Sequence, residues 1–304
     1  MALGLHEHVS PELLEKNNVI RSRVRELCMV KPNILWLHDL PEDPESANLR
    51  IESWRKQFSK FVFVSHWQQQ RYNLFHGVTF GEGVVIRNAI KPFTRAEIVA
   101  HRSSLQASTP PIRLIYHSTP HRGLGLLTYA LDEILKERPD LDWTLDVYSS
   151  FKLYGWPQRD EEYRTLFEYI KQNPRMRYHG TVPNDQIRSA LLNSHAFVYP
   201  SIWMETSCLC AIEAMAAGCD VIASSLGALP ETLAVGGIAP YAYTENPIEH
   251  IDVFKRQLIA YLEKMMTLSS RPAYVSETLD RASRVNEFYS WQAVAPLWEE
   301  LLSH

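Results

Sequence analysis

The stretch Pro200–Glu231, PSIWMETSCLCAIEAMAAGCDVIASSLGALPE, decides the fold. Thr206 and Ser207 are residue types that cap helix starts. From Cys208 to Ala217 the residues are small, apolar and helix-favouring apart from Glu213, so a largely buried helix is expected to begin here. Gly218 supplies the positive φ that ends it. Asp220–Ser224 then reads as a short buried strand, and Ser225–Pro230 as a loop into another helix with proline near its first position. With Ala196–Tyr199 as the preceding strand, the order is strand, loop, helix, strand, loop, helix. Such units build parallel α/β sheets, whose ligands sit at the carboxyl ends of the strands, beside helix N-termini that attract phosphate through free N–H groups and the helix dipole.

Glu205 and Glu213 stand eight apart across the start of that helix. A carboxylate is not drawn to phosphate, but it accepts two hydrogen bonds side by side and so suits vicinal hydroxyls on a ribose or hexose. Glu213 falls about six residues into the helix, roughly 9 Å along its axis. Two sugars joined by a diphosphate are separated by a comparable distance, so each acid can hold one sugar with the diphosphate against the helix start. The alternative is that two acids among 35 acidic residues fall this way without function. Against it, an unpaired acid in a buried helix costs several kcal/mol.

The order Tyr-Pro-Ser, Glu205, seven residues, Glu213-Ala-Met-Ala-Ala-Gly and Gly227-Ala-Leu-Pro-Glu231 resembles the donor-site signature of the retaining glycosyltransferases of family four, the glycosyl transferases group 1, which have the GT-B fold. Other segments extend the likeness over most of residues 33–302. Ile112–Leu124 resembles the strand and loop that open the donor domain, and Met176–Pro183 the strand and loop beside the nucleotide base. Asn33–Leu40 resembles an acceptor-domain strand ending in a functional histidine, while Val62–Trp67 and Val85–Ala89 resemble that domain's last strands.

The resemblance implies two Rossmann-like domains facing a cleft, the N-terminal one reduced, and a retaining transfer of sugar from a nucleotide-diphosphate sugar to a hydroxyl acceptor. It implies Glu205, Arg122 and His38 as catalytic residues. Donor-binding roles are implied for Glu213, Ser118, Gly123, Thr206, Ser207, Cys208, Thr181, Val182 and Asn88. Arg122 precedes Gly123 at a strand-to-helix loop, where its side chain reaches a diphosphate and the glycine lets backbone approach it. Where the family often has a second basic residue, this chain has His117 and Ser118. A fixed cation and a helix N-terminus stabilise a departing diphosphate without a metal, so no metal and no cofactor are expected.

Composition agrees with a soluble globular protein: 304 residues, 45% hydrophobic, 22% charged. A net charge of −4 gives no general pull toward nucleic acid. The four cysteines, Cys28, Cys208, Cys210 and Cys219, fit neither a zinc site nor a disulfide framework, and read as thiols in a reducing compartment. No signal peptide or membrane span is expected, and the location is read as cytoplasmic, or peripheral at a membrane if the acceptor is lipid-linked.

Ser103–Pro111, SSLQASTPP, reads as a linker. It divides an acceptor-side domain, 1–104, from a donor domain, 105–285, with a terminal helix, 286–304, packing back on the first. Donor-domain helices are expected at Gly123–Arg138, Asp160–Gln172, Asn184–Asn193 and Pro247–Leu268. Residues 1–32 replace several family strand-helix units and read mainly as one helix, Pro11–Met29, with arginines at 21, 23 and 25. The shortened domain suggests completion by a second subunit in a homodimer, or an acceptor, glycan or lipid-linked, on an open face. Two other readings remain: a non-catalytic nucleotide-sugar binding protein, and a sugar-nucleotide epimerase.

Overall fold

The computed structural model describes residues 4–107, 111–268 and 272–304. Two parallel sheets organise the chain. The first follows two short helices, α1 (Leu5–His8) and α2 (Pro11–Lys16), and holds β1 (Asn18–Arg21), β2 (Asn33–Trp36), β3 (Lys60–Phe63) and β4 (Gly83–Val85) in chain order. Helices α3 (Glu52–Arg55) and α4 (His66–His76) lie between its later strands.

The long helix expected over Pro11–Met29 is not formed. It stops at Lys16, and Asn18–Arg21 instead pairs in parallel with Asn33–Trp36. The residues explain this. Asn17 and Asn18 are weak helix formers, and the β-branched Val19 and Ile20 favour a pleated surface. Asn17 Nδ2 donates to the Leu13 and Leu302 carbonyls, which closes the helix, and Asn18 Nδ2 donates to Asn33 Oδ1 at 2.7 Å, which pins the strand register.

After α5 (Arg95–Ala107), the second sheet collects β5 (Ile112–Tyr116), β6 (Trp143–Val147), β7 (Met176–Tyr178), β8 (Ala196–Tyr199) and β9 (Asp220–Ala223) in the order β7-β6-β5-β8-β9. Its helices are α6 (Leu124–Glu137), α7 (Arg164–Gln172), α8 (Asn184–Leu192), α9 (Leu209–Ala216), α10 (Leu229–Ala234), α11 (Pro247–Leu268) and α12 (Pro272–Phe288). Most expected helices recur within a few residues. Asp160–Gln172 begins as a 3-10 turn and becomes α-helical only from Arg164. The expected linker is a larger departure: up to Ala107 it is the end of α5, and residues 108–110 lie outside the described residues. Arg102 on that helix is buried and bonds the Ser194, Leu191 and Ala217 carbonyls, which ties α5 to the second sheet's helices.

The chain runs from β5 outward to β7, then returns to place β8 on the other side of β5. The order therefore reverses between β5 and β8, where a crevice opens beyond the strand ends. The last helix, α13 (Trp291–Ser303), lies against the first sheet, and Trp298 meets Trp36 edge to face at 4.7 Å.

Candidate active site

The loops after β5 and β8 flank the reversal point. They, and the loop after β9, approach so closely that two glycines are required. A Cβ on Gly123, at φ +117°, would lie 2.2 Å from the Pro200 carbonyl oxygen, and one on Gly227, at φ +66°, would lie 2.6 Å from both N and O of Glu205. Ala228 N donates to Glu205 O at 2.7 Å, completing the grip on the loop.

Glu205 is buried, 5% exposed. Arg122 Nη1 donates to its Oε1 at 2.7 Å, and the Tyr199 hydroxyl donates to the same oxygen. Burial pushes the Glu205 carboxyl above its ordinary range, opposed by Arg122 and Tyr199. Burial pulls Arg122 down, and the charge of Glu205 more than offsets it, so the guanidinium is firmly charged. Two residues assigned from sequence to different groups of a donor are therefore paired with each other. Glu213 is half-buried on α9, with Asn184 Nδ2 3.3 Å from its Oε1. Its carboxyl is also raised by burial, against the pull of His117 and Asn184.

Helix α9 starts later than its composition suggests, with Cys208 as N-cap and no side chain capping it. Thr206 does not cap, because its hydroxyl donates instead to the His38 carbonyl at 2.7 Å, joining the two halves. The first turn of α9 meets the loop after β5, where Cys210 Sγ donates to His117 O at 2.9 Å. That loop carries an unusual set of buried polar atoms without partners: His117 Nε2, Thr119 Oγ1, His121 Nδ1 and Arg122 Nε. An unsatisfied buried polar group costs about 1–3 kcal/mol, so four such atoms in one loop are a local concentration of unspent hydrogen-bonding capacity. Ser118, in the same loop, is buried.

Across the crevice, His38 Nδ1 lies 3.2 Å from Ser22 Oγ, while its Nε2 has no partner. Burial, with Arg21 nearby, lowers its pKa to about 4, so the ring is neutral at pH 7. Thr181 is exposed and Val182 half-buried, both in the turn before α8, and Asn88 is buried where 86–90 meets the crossing chain near Ser290.

Three contributors escaped the sequence reading. Tyr199 closes the strand that was recognised, but its hydroxyl role depends on Glu205. Ser22 gave no signal. Glu231 was seen only as part of the GALPE stretch, yet its two carboxylate oxygens accept from His66 N at 2.9 Å and Trp67 N at 3.0 Å, capping α4 from the other half of the molecule.

Residues 113–255 match the family described as glycosyl transferases group 1. The crystal structure of Anabaena HepE in complex with UDP-glucose superposes with a TM-score of 0.64 at 17% identity, over 90% of this chain and 72% of that one. The fold is GT-B. Among curated proteins, a human phosphatidylinositol N-acetylglucosaminyltransferase component is 26% identical over 220 residues, 71% of this chain and 40% of its own length. A phosphatidyl-myo-inositol mannosyltransferase of Mycolicibacterium smegmatis is 25% identical over 179 residues, 59% of this chain and 41% of its own. The chain thus spans less than half the length of either relative. Within the GT-B frame, the crevice between β5 and β8 lies in the matched segment. Among the described residues, no helix is long and apolar enough to cross a membrane.

Proposed function

We propose that the chain is a retaining glycosyltransferase that moves a sugar from a nucleoside-diphosphate sugar to a hydroxyl acceptor without a metal ion. The observation that carries this reading is the loop 117–122, which holds the charged Arg122 and several buried polar atoms without partners and meets the uncapped first turn of α9 through Cys210. Free N–H groups at a helix N-terminus and a charged guanidinium are what a diphosphate leaving group needs. In this reading Arg122, Ser118, Gly123, Thr206, Ser207 and Cys208 surround the diphosphate. Glu213 takes the ribose, Glu205 the transferred sugar, and the turn at Thr181 and Val182 the base, with Asn88 at the cleft.

Arg122 is shared between Glu205 and the arriving donor. As the diphosphate enters, it competes for the guanidinium and frees carboxylate lone pairs for sugar hydroxyls. The bond from the sugar's anomeric carbon to the diphosphate oxygen breaks, and a bond to the acceptor oxygen forms on the same face. The acceptor proton passes to the departing oxygen, whose growing charge Arg122 and the α9 N–H groups stabilise. Neutral His38 supplies polar contact from the acceptor side. The names of the two relatives, both built on phosphatidylinositol, favour a lipid-linked hydroxyl reached by peripheral attachment to a membrane.

The test is release of UDP from a UDP-sugar panel, followed by chromatography, with donor binding read by thermal shift. Arg122→Ala should lower turnover about 10²–10³-fold, and Glu213→Ala should chiefly weaken donor binding. A folded Arg122→Ala protein with unchanged turnover removes the mechanism, and donor binding with no turnover under any acceptor condition leaves a binding protein.

A further inference from the structure

Three of the four cysteines flank α9, and their surroundings differ. Cys219, beyond the end of the helix, is buried. Its thiol donates to the Leu191 carbonyl at 3.0 Å and accepts from Arg102 Nη2 at 3.3 Å, which makes it part of the packing. Cys208 and Cys210 stand two apart at the helix start, with their thiols hydrogen-bonded to each other. Cys208 is 2% exposed, whereas Cys210 keeps part of its surface open. Cys28 precedes β2 in the other sheet's half.

Cys210 meets the loop after β5 at two points. Its Sγ donates to the His117 carbonyl at 2.9 Å, so its proton rests on sulfur, and its thiol is also hydrogen-bonded to the His117 side chain. That ring is buried, 7% exposed, and its Nε2 has no partner. The base that can take the Cys210 proton is therefore already beside it.

The two thiols have opposite tendencies. The hydrogen bond from Cys208 pulls the Cys210 thiol well below its ordinary range, against burial and with help from His117 and Arg122. The same bond pushes Cys208 up, together with burial and Glu205. Burial pulls His117 down, and Cys210, with Glu213, more than offsets it. Cys210 is thus the nucleophile, and Cys208 is the thiol that keeps its proton until Cys210 has reacted. Two residues span at most about 7 Å, and the bend into a helix shortens that into the range of roughly 4.4–6.8 Å that a disulfide bridges.

We propose that Cys208 and Cys210 form a reversible modification site at the start of α9, where a peroxide oxidises Cys210 and Cys208 closes a disulfide. Cys210 gives its proton to His117, and its sulfur attacks one peroxide oxygen. The O–O bond breaks, and the departing hydroxide takes the proton from His117, leaving a sulfenic acid and one water. The Cys208 sulfur then displaces the sulfenic hydroxyl, which departs with the Cys208 proton as a second water. Two thiols are oxidised to one disulfide, and one peroxide is reduced to two waters. The bridge takes the Cys210 hydrogen away from the His117 carbonyl and so releases loop 117–122 from α9. Its effect on the donor rests on the glycosyltransferase reading: that loop holds the diphosphate, and oxidation should weaken UDP binding about tenfold, the worth of one hydrogen bond.

Hydrogen peroxide added to the reduced full chain, with intact mass and peptide mapping as readout, tests the site. Loss of two hydrogens is expected, mapped to Cys208 and Cys210 and restored by dithiothreitol, while Cys219 stays a thiol. In Cys208→Ser the reaction should stop at a sulfenic acid on Cys210 that dimedone traps, and in Cys210→Ser the Cys208 thiol should stay reduced. The wild-type map decides even where a serine variant fails to fold. Oxidation of Cys210 ahead of Cys28 should vanish in urea, because the fold builds the site. Cys208 and Cys210 still reduced after Cys28 has been oxidised, or a preference for Cys210 that persists in urea, overturns the proposal. A bridged protein with an unchanged UDP-induced thermal shift overturns the coupling to the donor loop. No UDP shift in the reduced protein would defeat the transferase reading, while the peptide map would still decide the bridge.

Discussion

The two sheets of this chain are held together differently. The five-stranded sheet is enclosed by helices and shares one continuous core, from Ile90 to Tyr289. The four-stranded sheet has a separate small cluster on each face, and β1 is only half-buried along its length. On one face, five of the twelve buried residues, Trp291, Val294, Ala295, Trp298 and Leu302, belong to α13 from the far end of the chain. The second half can order its crevice with its own residues, whereas the first half borrows both its core and its orientation. Rigidity of the crevice and dependence of the facing half are therefore separable, and substitutions should separate them.

The largest effect should fall on the self-sufficient half. Gly123→Ala adds a methyl 2.2 Å from the Pro200 carbonyl and forces a positive φ on alanine. Strain and overpacking, each about 1–3 kcal/mol, sum to roughly 2–6 kcal/mol. Urea denaturation measures the loss, and a Gly123→Ala protein of wild-type stability would mean that the loops do not clasp as described. Trp298→Ala strikes the dependent half instead. A large fully buried side chain lost from a small core costs about 3–5 kcal/mol. Because β1–β4 bear that loss, limited proteolysis should clip residues before 90 while the UDP-induced thermal shift survives. Simultaneous loss of both would show that the halves fold as one unit.

What the sequence made legible follows the same division. Ala196–Tyr199 as a strand, Gly218 ending a helix at φ +85° and Pro247–Leu268 as a helix were readable because each rests on local chemistry: buried β-branched and aromatic runs, a glycine stop, proline at a helix start. The helix drawn through Pro11–Met29 failed because Asn18 takes its partner, Asn33, from the next strand. Thr206 looked like a helix cap, and an acceptor 168 residues away, the His38 carbonyl, won its hydroxyl. Glu205 and Arg122 were each singled out, but their pairing joins loops 83 residues apart. Ser22 had no sequence signature, since its backbone is held by Ser22 N donating to the Trp36 carbonyl at 2.8 Å and by Arg23 N donating back to the Arg21 carbonyl at 2.6 Å.

A pH experiment sharpens the contrast at smaller amplitude. Burial lowers His38 in the first half to about 4, and lowers His121 and His195 in the second half to about 4 as well. Each binds fewer protons folded than unfolded between pH 4 and 6.5, so stability falls as pH drops through that window. The loss is complete below about pH 4. His38→Gln should flatten the fall by on the order of 3 kcal/mol, and in proteolysis the gain should appear in the first half. An identical pH profile in His38→Gln would place His38 in water rather than against Trp36 and Ser22.

The smallest expected effect bears most directly on function. Beside the Thr206–His38 bond, Glu231 is a second point at which the self-sufficient half holds its neighbour, accepting two N–H groups from the start of α4. Lost capping is worth about 1 kcal/mol, too little to unfold either half. It is enough to shift a two-state opening by about fivefold, since 1.4 kcal/mol is a factor of ten. Glu231→Ala should therefore leave UDP binding intact, enlarge the radius of gyration seen by X-ray scattering, and lower kcat several-fold with little change in donor KM. Glu231→Gln, with one acceptor oxygen in place of two, should fall between. If scattering and kcat are unchanged in Glu231→Ala, the Thr206–His38 bond and the α13 packing alone hold the cleft, and the first half is less dependent than its divided core implies.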